Sequence, residues 1–161
     1  MNVLKVSIIT PSYNQGQFIE ETILSVKNQD YPNIEHIVID GGSTDGTLDI
    51  LKKYDKDIIW LSEPDNGQTH AINKGLRMAT GEIIAWVNSD DLLLPHAVSA
   101  IEKAFTSNID AGFIYGNYKI IDTAGNHLLS RKTIKAGGGM NGQLITYKSL
   151  LPVQTIPATS I

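Results

Sequence analysis

The sequence predicts an α/β fold built on a mostly parallel, Rossmann-like sheet with helices on both faces. Short apolar segments alternate with segments of helical periodicity four times between residues 6 and 91. Such alternation is typical of parallel strands joined by right-handed crossover helices. Polar or acidic residues follow each apolar segment, and ligands bind outside the carboxyl ends of the strands in sheets of this kind. We therefore expect a ligand site along one edge of the sheet.

The first half of this pattern contains two strands and two helices. An apolar strand over residues 6–9 stops at Pro11, and residues 17–27 have helical periodicity. A second strand over residues 37–39 is followed by a helix that begins near Thr44, whose hydroxyl is the predicted N-cap. The apolar stripe of the first helix consists of Ile19, Thr22, Ile23 and Val26.

The second half repeats the pattern with strands over residues 58–61 and 83–87. Trp60 and Trp86 lie in these apolar runs and are expected in the core. The continuous apolar run of the last strand predicts burial on both of its faces. Between the two strands a helix is predicted over residues 68–79, and its buried face consists of Ile72, Gly75, Leu76 and Ala79.

The segment after residue 91 has weaker signals. We expect a helix over residues 95–105 and a hairpin whose turn contains Gly125. The remaining predictions are a strand over 113–116, hairpin strands over 118–122 and 127–131, a flexible glycine-rich loop over 137–142 and an apolar tail over 149–161. The glycine-rich loop matches neither a Walker loop nor a dinucleotide fingerprint.

Composition limits the function classes. The chain has 161 residues, 42% of them hydrophobic and 19% charged, a net charge of −4 and no cysteine. The acidic balance argues against a nucleic-acid partner. The missing cysteines exclude disulfides and thiolate metal sites and suit a reducing compartment. With no signal-peptide pattern and no apolar run long enough for a bilayer, a cytoplasmic location is expected.

Two adjacent carboxylates, Asp90 and Asp91, follow the last strand of the repeated pattern. Neighbouring carboxylates repel each other, and a hard divalent cation such as Mg²⁺ or Mn²⁺ relieves that repulsion while leaving ligand positions for phosphate oxygens. The alternative is that they form an Asx turn and cap the following helix. These two residues alone leave both interpretations open.

Several motifs in order resemble the family 2 glycosyltransferases, which have the GT-A fold. The resemblance covers residues 6 to about 115. Its motifs are Val6-Ser7-Ile8-Ile9-Thr10-Pro11-Ser12-Tyr13-Asn14, Asp40-Gly41-Gly42-Ser43-Thr44-Asp45-Gly46-Thr47, the block containing Asn66-Gly67, Ala71, Asn73-Lys74-Gly75-Leu76, Ala79 and Gly81, and the DXD-like Asn88-Ser89-Asp90-Asp91.

The resemblance implies a nucleotide-sugar donor, with uridine as the expected base. Pro11 and Tyr13 would pack on the base, Asp40 would contact its edge or the ribose, and Asp90 and Asp91 would hold Mg²⁺ or Mn²⁺ on the diphosphate. The implied nucleotide-binding residues are Pro11, Ser12, Tyr13, Asp40, Asn66, Asn73 and Asp90.

The sequence departs from the family pattern at three places. Gly41 stands where many relatives have a second aspartate, which leaves open a different contact with the base. Asn88 stands where many relatives have the first aspartate of DXD, which leaves one fewer candidate metal ligand. The carboxylate base of inverting members lies in a later segment, so the base is expected beyond Ile161. We accordingly expect one GT-A-type domain over 1–161, with the donor-binding part over 1–94 and the start of the acceptor part over 95–161.

The leading hypothesis is an inverting, metal-assisted glycosyltransferase acting on a saccharide or lipid-linked acceptor. The alternatives are a non-catalytic nucleotide-binding fragment and, with less support, a sugar-phosphate nucleotidyltransferase. Peripheral membrane association at the inner face and homo-oligomerisation stay open. His70 is assigned a surface or capping role rather than a functional one, and Glu63 and Asp65 are weak candidates for sugar contact. Lys74 and Arg77 are assigned to a solvated helix face.

Overall fold

The computed structural model describes residues 3–116 and 118–129, with the side chains of 127–129 left aside. The chain forms two compact units, Met1–Glu102 and Lys103–Ile161. The strands are β1 (Val6–Ser12), β2 (Ile34–Asp40), β3 (Ile59–Ser62), β4 (Ile83–Trp86), β5 (Ile120–Ile121) and β6 (His127–Leu129). The helices are α1 (Ile19–Lys27), α2 (Thr47–Lys53), α3 (Gln68–Met78) and α4 (Ala97–Ser107).

The first unit contains a parallel sheet of four strands in the order β3-β2-β1-β4. The alternating βα pattern therefore gave the correct architecture. β1 and β2 are paired along their whole length, from Val6 opposite Ile34 to Ser12 opposite Asp40. Because the strands are parallel, the loops that follow all four of them open on the same edge of the sheet.

Helices cover both faces of the sheet, as predicted, and β2 shows this most clearly. Val38 packs on one face against Ile19 and Ile23 of α1 and Leu51 of α2. Side chains of a strand alternate between faces, and the neighbouring residues Ile37 and Ile39 pack on the opposite face against Ala71 of α3. All four residues of the predicted α1 stripe are buried.

α3 lies unusually close to β1 because Gly75 faces the sheet. A Cβ at Gly75 would lie 2.5 Å from Cγ2 of Ile9, closer than two carbon atoms can approach. This contact fixes the distance between α3 and the sheet, and with it the position of the loop that precedes α3. The prediction that Leu76 shares this buried face is wrong, since its side chain is exposed.

β4 is less buried than its apolar sequence predicted. Ile84 and Trp86 are 44% and 46% exposed, whereas Ile83 and Val87 are buried. Within the described residues β4 pairs only with β1 and forms the edge of the sheet, so one of its faces lacks a cover. The expected core position of Trp86 is therefore wrong, and Trp60 is only partly buried.

The second unit confirms one prediction and contradicts another. β5 and β6 form the predicted antiparallel hairpin, and Asp122 closes its turn by accepting hydrogen bonds from the backbone N–H groups of Ala124 and Asn126 at 2.9 and 2.8 Å. Residues 113–116 do not form the predicted strand. The glycine-rich loop and the apolar tail lie outside the described residues. No helix in the described part of the chain is long and apolar enough to cross a membrane.

Candidate functional site

The loops after β1 and β2 are joined by side-chain hydrogen bonds; we call residues 12–18 and 40–47 the loop pair. The backbone N–H groups of Asn14, Gln15 and Gly16 donate to Ser43 Oγ, Thr47 Oγ1 and Asp45 Oδ2 at 2.7, 3.0 and 2.8 Å. In return, Asn14 Oδ1 accepts a hydrogen bond from the N–H of Thr44 at 2.9 Å. The polar residues of the second motif thus hold the first loop in place.

Asp40 lies at the centre of the loop pair and is fully buried. Its Oδ2 accepts hydrogen bonds from the N–H groups of Gly42 and Ser43 at 3.1 and 2.9 Å and from Ser62 Oγ at 2.6 Å. Its Oδ1 accepts a hydrogen bond from Ser43 Oγ. The structure therefore places the Asp40 carboxylate beneath the loop that follows β2, where it joins the ends of β2 and β3. Direct contact with a nucleotide stays a prediction.

The N-cap of α2 is Gly46 and not Thr44, so the predicted N-cap is wrong, and the side chain of Asp45 supports the start of the helix. Asp45 Oδ1 accepts hydrogen bonds from the N–H and the hydroxyl of Thr47 at 2.9 and 2.5 Å. The hydrogen bond from the Thr47 hydroxyl is the main cause of the lowered pKa of Asp45, and the N–H groups of Gly16 and Thr47 add to it. Thr44 is exposed.

The end of β1 presents one exposed aromatic ring. Pro11 and Ser12 are buried, whereas Tyr13 is 61% exposed. Ser12 Oγ is buried without a hydrogen-bond partner among the described residues. Of the three nucleotide-binding residues predicted at the end of β1, Tyr13 is thus the one whose side chain is accessible.

The loop between β3 and α3 contains further candidates. Asp65 Oδ1 accepts a hydrogen bond from the N–H of Gly67 at 2.7 Å, and His70 Nδ1 accepts one from the N–H of Asn66 at 3.1 Å. The predicted capping role of His70 agrees with this contact. Asn66 and Asn73 are both exposed. Asn73 lies in the second turn of α3, away from the strand ends.

Lys74 is not on a solvated helix face, contrary to expectation. Its side chain is only 12% exposed, and its Nζ lies 2.9 Å from Glu63 Oε1. The Nζ is buried and makes no contact with good hydrogen-bond geometry among the described residues. Charge attraction, and not an oriented hydrogen bond, therefore links α3 to the residue that follows β3.

Asp90 and Asp91 are exposed on the loop after β4; we call residues 88–94 the carboxylate loop. This loop is anchored to α1, where Thr22 Oγ1 donates to the carbonyl of Ser89 at 2.9 Å and Ser25 Oγ accepts from the N–H of Leu93 at 3.1 Å. The anchors are backbone groups of the loop. Neither anchor uses a carboxylate oxygen, so both carboxylates stay exposed on the loop.

Asn88 supports this carboxylate pair. Its Nδ2 donates to Asp91 Oδ2 and its Oδ1 accepts from Gln68 Nε2, each at 2.8 Å. Desolvation raises the pKa of the Asp91 carboxyl, the hydrogen bond from Asn88 opposes that shift, and the neighbouring charge of Asp90 adds to it. An aspartate at position 88 could not donate this hydrogen bond. Asn88 thus acts as a support for Asp91, which explains one departure from the DXD pattern.

The donor set fits a divalent cation that is completed by its substrate. The described residues contain no group of three or more His, Cys, Asp or Glu side chains that could hold a metal ion. Two adjacent carboxylates nevertheless match the usual Mg²⁺ arrangement, in which one or two carboxylates are joined by substrate phosphates and waters.

The structure gathers most of the predicted site residues along one edge of the first unit. Those at the strand ends are Pro11, Ser12, Tyr13, Asp40, Asn66, Asp90 and Asp91. The sequence analysis did not identify the residues that fix the loops, namely Asn14, Ser43, Asp45, Thr47 and Gln68. The cluster of side-chain oxygens at positions 43, 45 and 47 was a signal for loop fixation that could have been used.

Comparisons with known proteins show the family of this chain. The model of glycosyl transferase family 2 matches residues 7–154. The chain is 45% identical over 91 residues to TuaG of Bacillus subtilis, a glycosyltransferase whose name connects it with teichuronic acid biosynthesis; the match covers 53% of this chain and 36% of TuaG. It is 36% identical over 134 residues to an uncharacterised glycosyltransferase of Haemophilus influenzae, covering 80% of this chain and 52% of the relative.

Two solved structures of similar fold were determined with nucleotide sugars. The mannosyltransferase PcManGT of Pyrobaculum calidifontis, in complex with GDP-Man and Mn²⁺, is 28% identical with a TM-score of 0.62, covering 74% of this chain and 37% of PcManGT. Residues 1–349 of S. aureus TarS, in complex with UDP-GlcNAc, are 25% identical with a TM-score of 0.61, covering 73% of this chain and 40% of that TarS fragment. The chain thus spans about a third to a half of the length of these four matched chains. It belongs to glycosyl transferase family 2 and has the GT-A fold.

Proposed function

We propose that this chain binds a uridine diphosphate sugar and serves a metal-assisted, inverting transfer of the sugar to a saccharide or lipid-linked acceptor. The observation that carries the proposal is the exposed Asp90–Asp91 pair, which opens on the same sheet edge as the fixed loop pair. Support also comes from the relatives crystallised with UDP-GlcNAc and with GDP-Man and Mn²⁺. Because the chain spans only part of its relatives' length, the transfer activity assigned to the whole protein is part of this proposal.

The donor lies across the strand ends. Tyr13 stacks on the base, and Pro11 and Ser12 contribute the backbone beneath it. Asp40 keeps the loop after β2 in shape for the nucleoside, while Asn66 offers an amide at the start of α3. Asn73, exposed in the second turn of α3, is kept in the nucleotide-binding set on the family resemblance alone. The other roles follow from the exposure of Tyr13 and Asn66 and from the burial of Asp40.

Asp90 and Asp91 would hold Mg²⁺ or Mn²⁺ against the diphosphate. A cation bound there supplies electrostatic stabilisation of the departing nucleoside diphosphate. Asn88 holds Asp91 in position through its 2.8 Å hydrogen bond. A general base that deprotonates the acceptor hydroxyl is needed for inverting transfer, and we assign it to none of the described residues.

A thermal-shift panel of nucleotide sugars, with Mn²⁺ and with a chelator, tests donor binding. We expect stabilisation by UDP-sugars that depends on the metal, since a ligand that binds only the folded state raises its stability. Stabilisation by none of the nucleotide sugars would contradict the proposal.

Product analysis then distinguishes the reaction classes. Release of UDP from a UDP-sugar accompanies sugar transfer or hydrolysis, whereas release of pyrophosphate from UTP and a sugar 1-phosphate indicates a nucleotidyltransferase. We expect UDP and no pyrophosphate. Metal-dependent binding of UDP-sugar that leads to neither product, even with a panel of saccharide and lipid-linked acceptors, would favour the alternative of a non-catalytic nucleotide-binding chain.

A further inference from the structure

Asp65 takes up the space that a side chain at position 41 would need. A Cβ at Gly41 would lie 3.1 Å from Asp65 Oδ2 and 3.3 Å from Asp65 Oδ1. Gly41 directly follows β2, and its N–H donates to the carbonyl of Ser12 at 2.8 Å. A carboxylate from the loop before α3 is therefore held over the end of β2, next to the end of β1.

One oxygen of Asp65 is free to bind a ligand. Oδ1 accepts the hydrogen bond from the N–H of Gly67, which fixes the side chain. Oδ2 accepts no hydrogen bond from any residue that the structure describes, and Asp65 is only partly buried. The carboxylate is thus positioned by one oxygen and presents the other at the sheet edge.

Asp40, the neighbouring acid, is poorly placed for the same task. It is fully buried, and its two oxygens already accept four hydrogen bonds from Gly42, Ser43 and Ser62. Because the carboxylate is fully buried, a ligand could reach it only if the loop that donates these hydrogen bonds opened, and buried donors that lose their acceptor cost more than one new hydrogen bond returns. Of the two carboxylates at the end of β2, Asp65 is the accessible one.

The strand order shows which part of a donor lies over β2. The carboxylate loop follows β4, and β2 is two strands away in the order β3-β2-β1-β4, a distance of about 10 Å for neighbouring strands about 4.8 Å apart. With the diphosphate at the carboxylate loop, the ribose lies over the end of β1 and the base reaches the end of β2. Asp65 then faces the base.

We propose that Asp65 Oδ2 accepts a hydrogen bond from the N3–H group of uracil and so selects the base of the donor. The inference rests on the proposed function and adds a residue that determines base specificity. An ionised carboxylate only accepts hydrogen bonds. It therefore pairs with the N3–H of uracil, whereas the N3 of cytosine carries a lone pair and is repelled.

Three nucleotides test this contact in the 161-residue chain with Mn²⁺: UDP, CDP and the diphosphate of 3-methyluridine, which lacks the N3–H. We expect wild-type protein to bind UDP at least about tenfold more tightly than the other two, the effect of one hydrogen bond to a charged group. Titration calorimetry gives the three dissociation constants.

Three substitutions test whether Asp65 causes the preference for UDP. Asp65→Asn keeps an oxygen for Gly67 N–H but adds an N–H₂ donor, so it should weaken UDP binding about tenfold and reduce the preference for UDP over CDP. Gly41→Ala should weaken UDP binding in the same selective manner, because the new Cβ displaces the Asp65 carboxylate. Asp49→Asn, on the exposed surface of α2, is the matched control and should change none of the constants.

The outcomes separate this inference from the proposed function. Metal-dependent UDP binding by the wild type, with equal affinity for 3-methyluridine diphosphate, would overturn the role of Asp65 and leave the proposed function intact. Equal weakening of all three nucleotides in Asp65→Asn would also overturn it. Titration with a fourth nucleotide, 2′-deoxy-UDP, detects a ribose contact: if Asp65→Asn weakens UDP binding but not 2′-deoxy-UDP binding, the base contact is contradicted. Failure of the wild type to bind any nucleotide would contradict both proposals.

Discussion

The two ends of the candidate site are built in opposite ways. In the loop pair, Asp40, Ser43 and Thr47 are buried, and side-chain hydrogen bonds join the loops after β1 and β2. In the carboxylate loop, Asp90 and Asp91 are exposed, and the contacts with α1 hold the backbone and leave the carboxylates free. One end is therefore completed within the protein, and the other retains free ligand oxygens.

This difference suits a ligand with two unlike ends. A nucleoside is rigid and has fixed donors and acceptors, so a preformed surface binds it without a large ordering cost. A diphosphate with its cation supplies its own charge and several metal ligands, so the protein needs to offer only one or two carboxylates. We infer that the loop pair supplies a preformed surface for the nucleoside and that the carboxylate loop supplies negative charge for the cation on the diphosphate.

The largest expected effect is a difference in the free energy of unfolding between a variant of the loop pair and a variant of the carboxylate loop. Asp40→Ala removes an acceptor from buried donors and should lower the free energy of unfolding by about 3 kcal/mol. Asp90→Ala, the matched change in the carboxylate loop, removes an exposed carboxylate and should change it by less than about 0.5 kcal/mol. Urea denaturation measures both values. Similar losses for the two variants would show that the ends do not differ in this way.

The next effect concerns pH, and it originates in β2 beneath the loop pair. His36 is buried, its Nε2 lies 2.9 Å from Thr10 Oγ1, and burial lowers its pKa to about 4. The ordinary value in the unfolded chain is about 6.5. Below pH 6.5 the unfolded chain therefore binds a proton that the folded protein does not, and stability falls until the pH approaches 4. We expect a loss of about 2 kcal/mol between pH 7 and pH 5.

Denaturation curves from pH 7 to pH 5 measure that loss, and His36→Gln is the control that should remove it. Glu35, the neighbouring acid in β2, does not interfere in this window. Its pKa is lowered to about 2 despite its burial, because Lys5, Ser7 and Thr80 donate hydrogen bonds to it. Its contribution is present above its ordinary value near 4.5 and declines only below that pH. An unchanged slope in His36→Gln would assign the pH dependence to another group.

The smallest effect tests the one exposed ring of the loop pair. Tyr13→Ala should leave the free energy of unfolding within about 0.5 kcal/mol of the wild type, because the ring is already exposed. It should weaken UDP binding by about 1–2 kcal/mol, the range found for stacking of a base on an aromatic ring. Calorimetric titration with UDP measures this change. Unchanged affinity would remove Tyr13 from the nucleotide site.

The sequence predicted the architecture well because it depends on local periodicity, which a single chain displays. It also located Asp90 and Asp91, since charge after an apolar run marks the end of a strand. It failed at Trp86, because burial of a strand depends on its neighbours in the sheet, and β4 is the edge strand among those that the structure describes. The contact between Gly41 and Asp65 could not be foreseen, because it joins loops that meet only after β2 and β3 have paired.

The central claim is that the carboxylate loop binds the diphosphate through a divalent cation. Calorimetric titration of UDP into the wild type, with Mn²⁺ or with a chelator, tests it most directly, and Asp91→Ala is the matched variant. We predict binding by the wild type that is lost with the chelator, and no difference between the two conditions in Asp91→Ala. Equal affinity of the wild type for UDP with Mn²⁺ and with the chelator would contradict the claim.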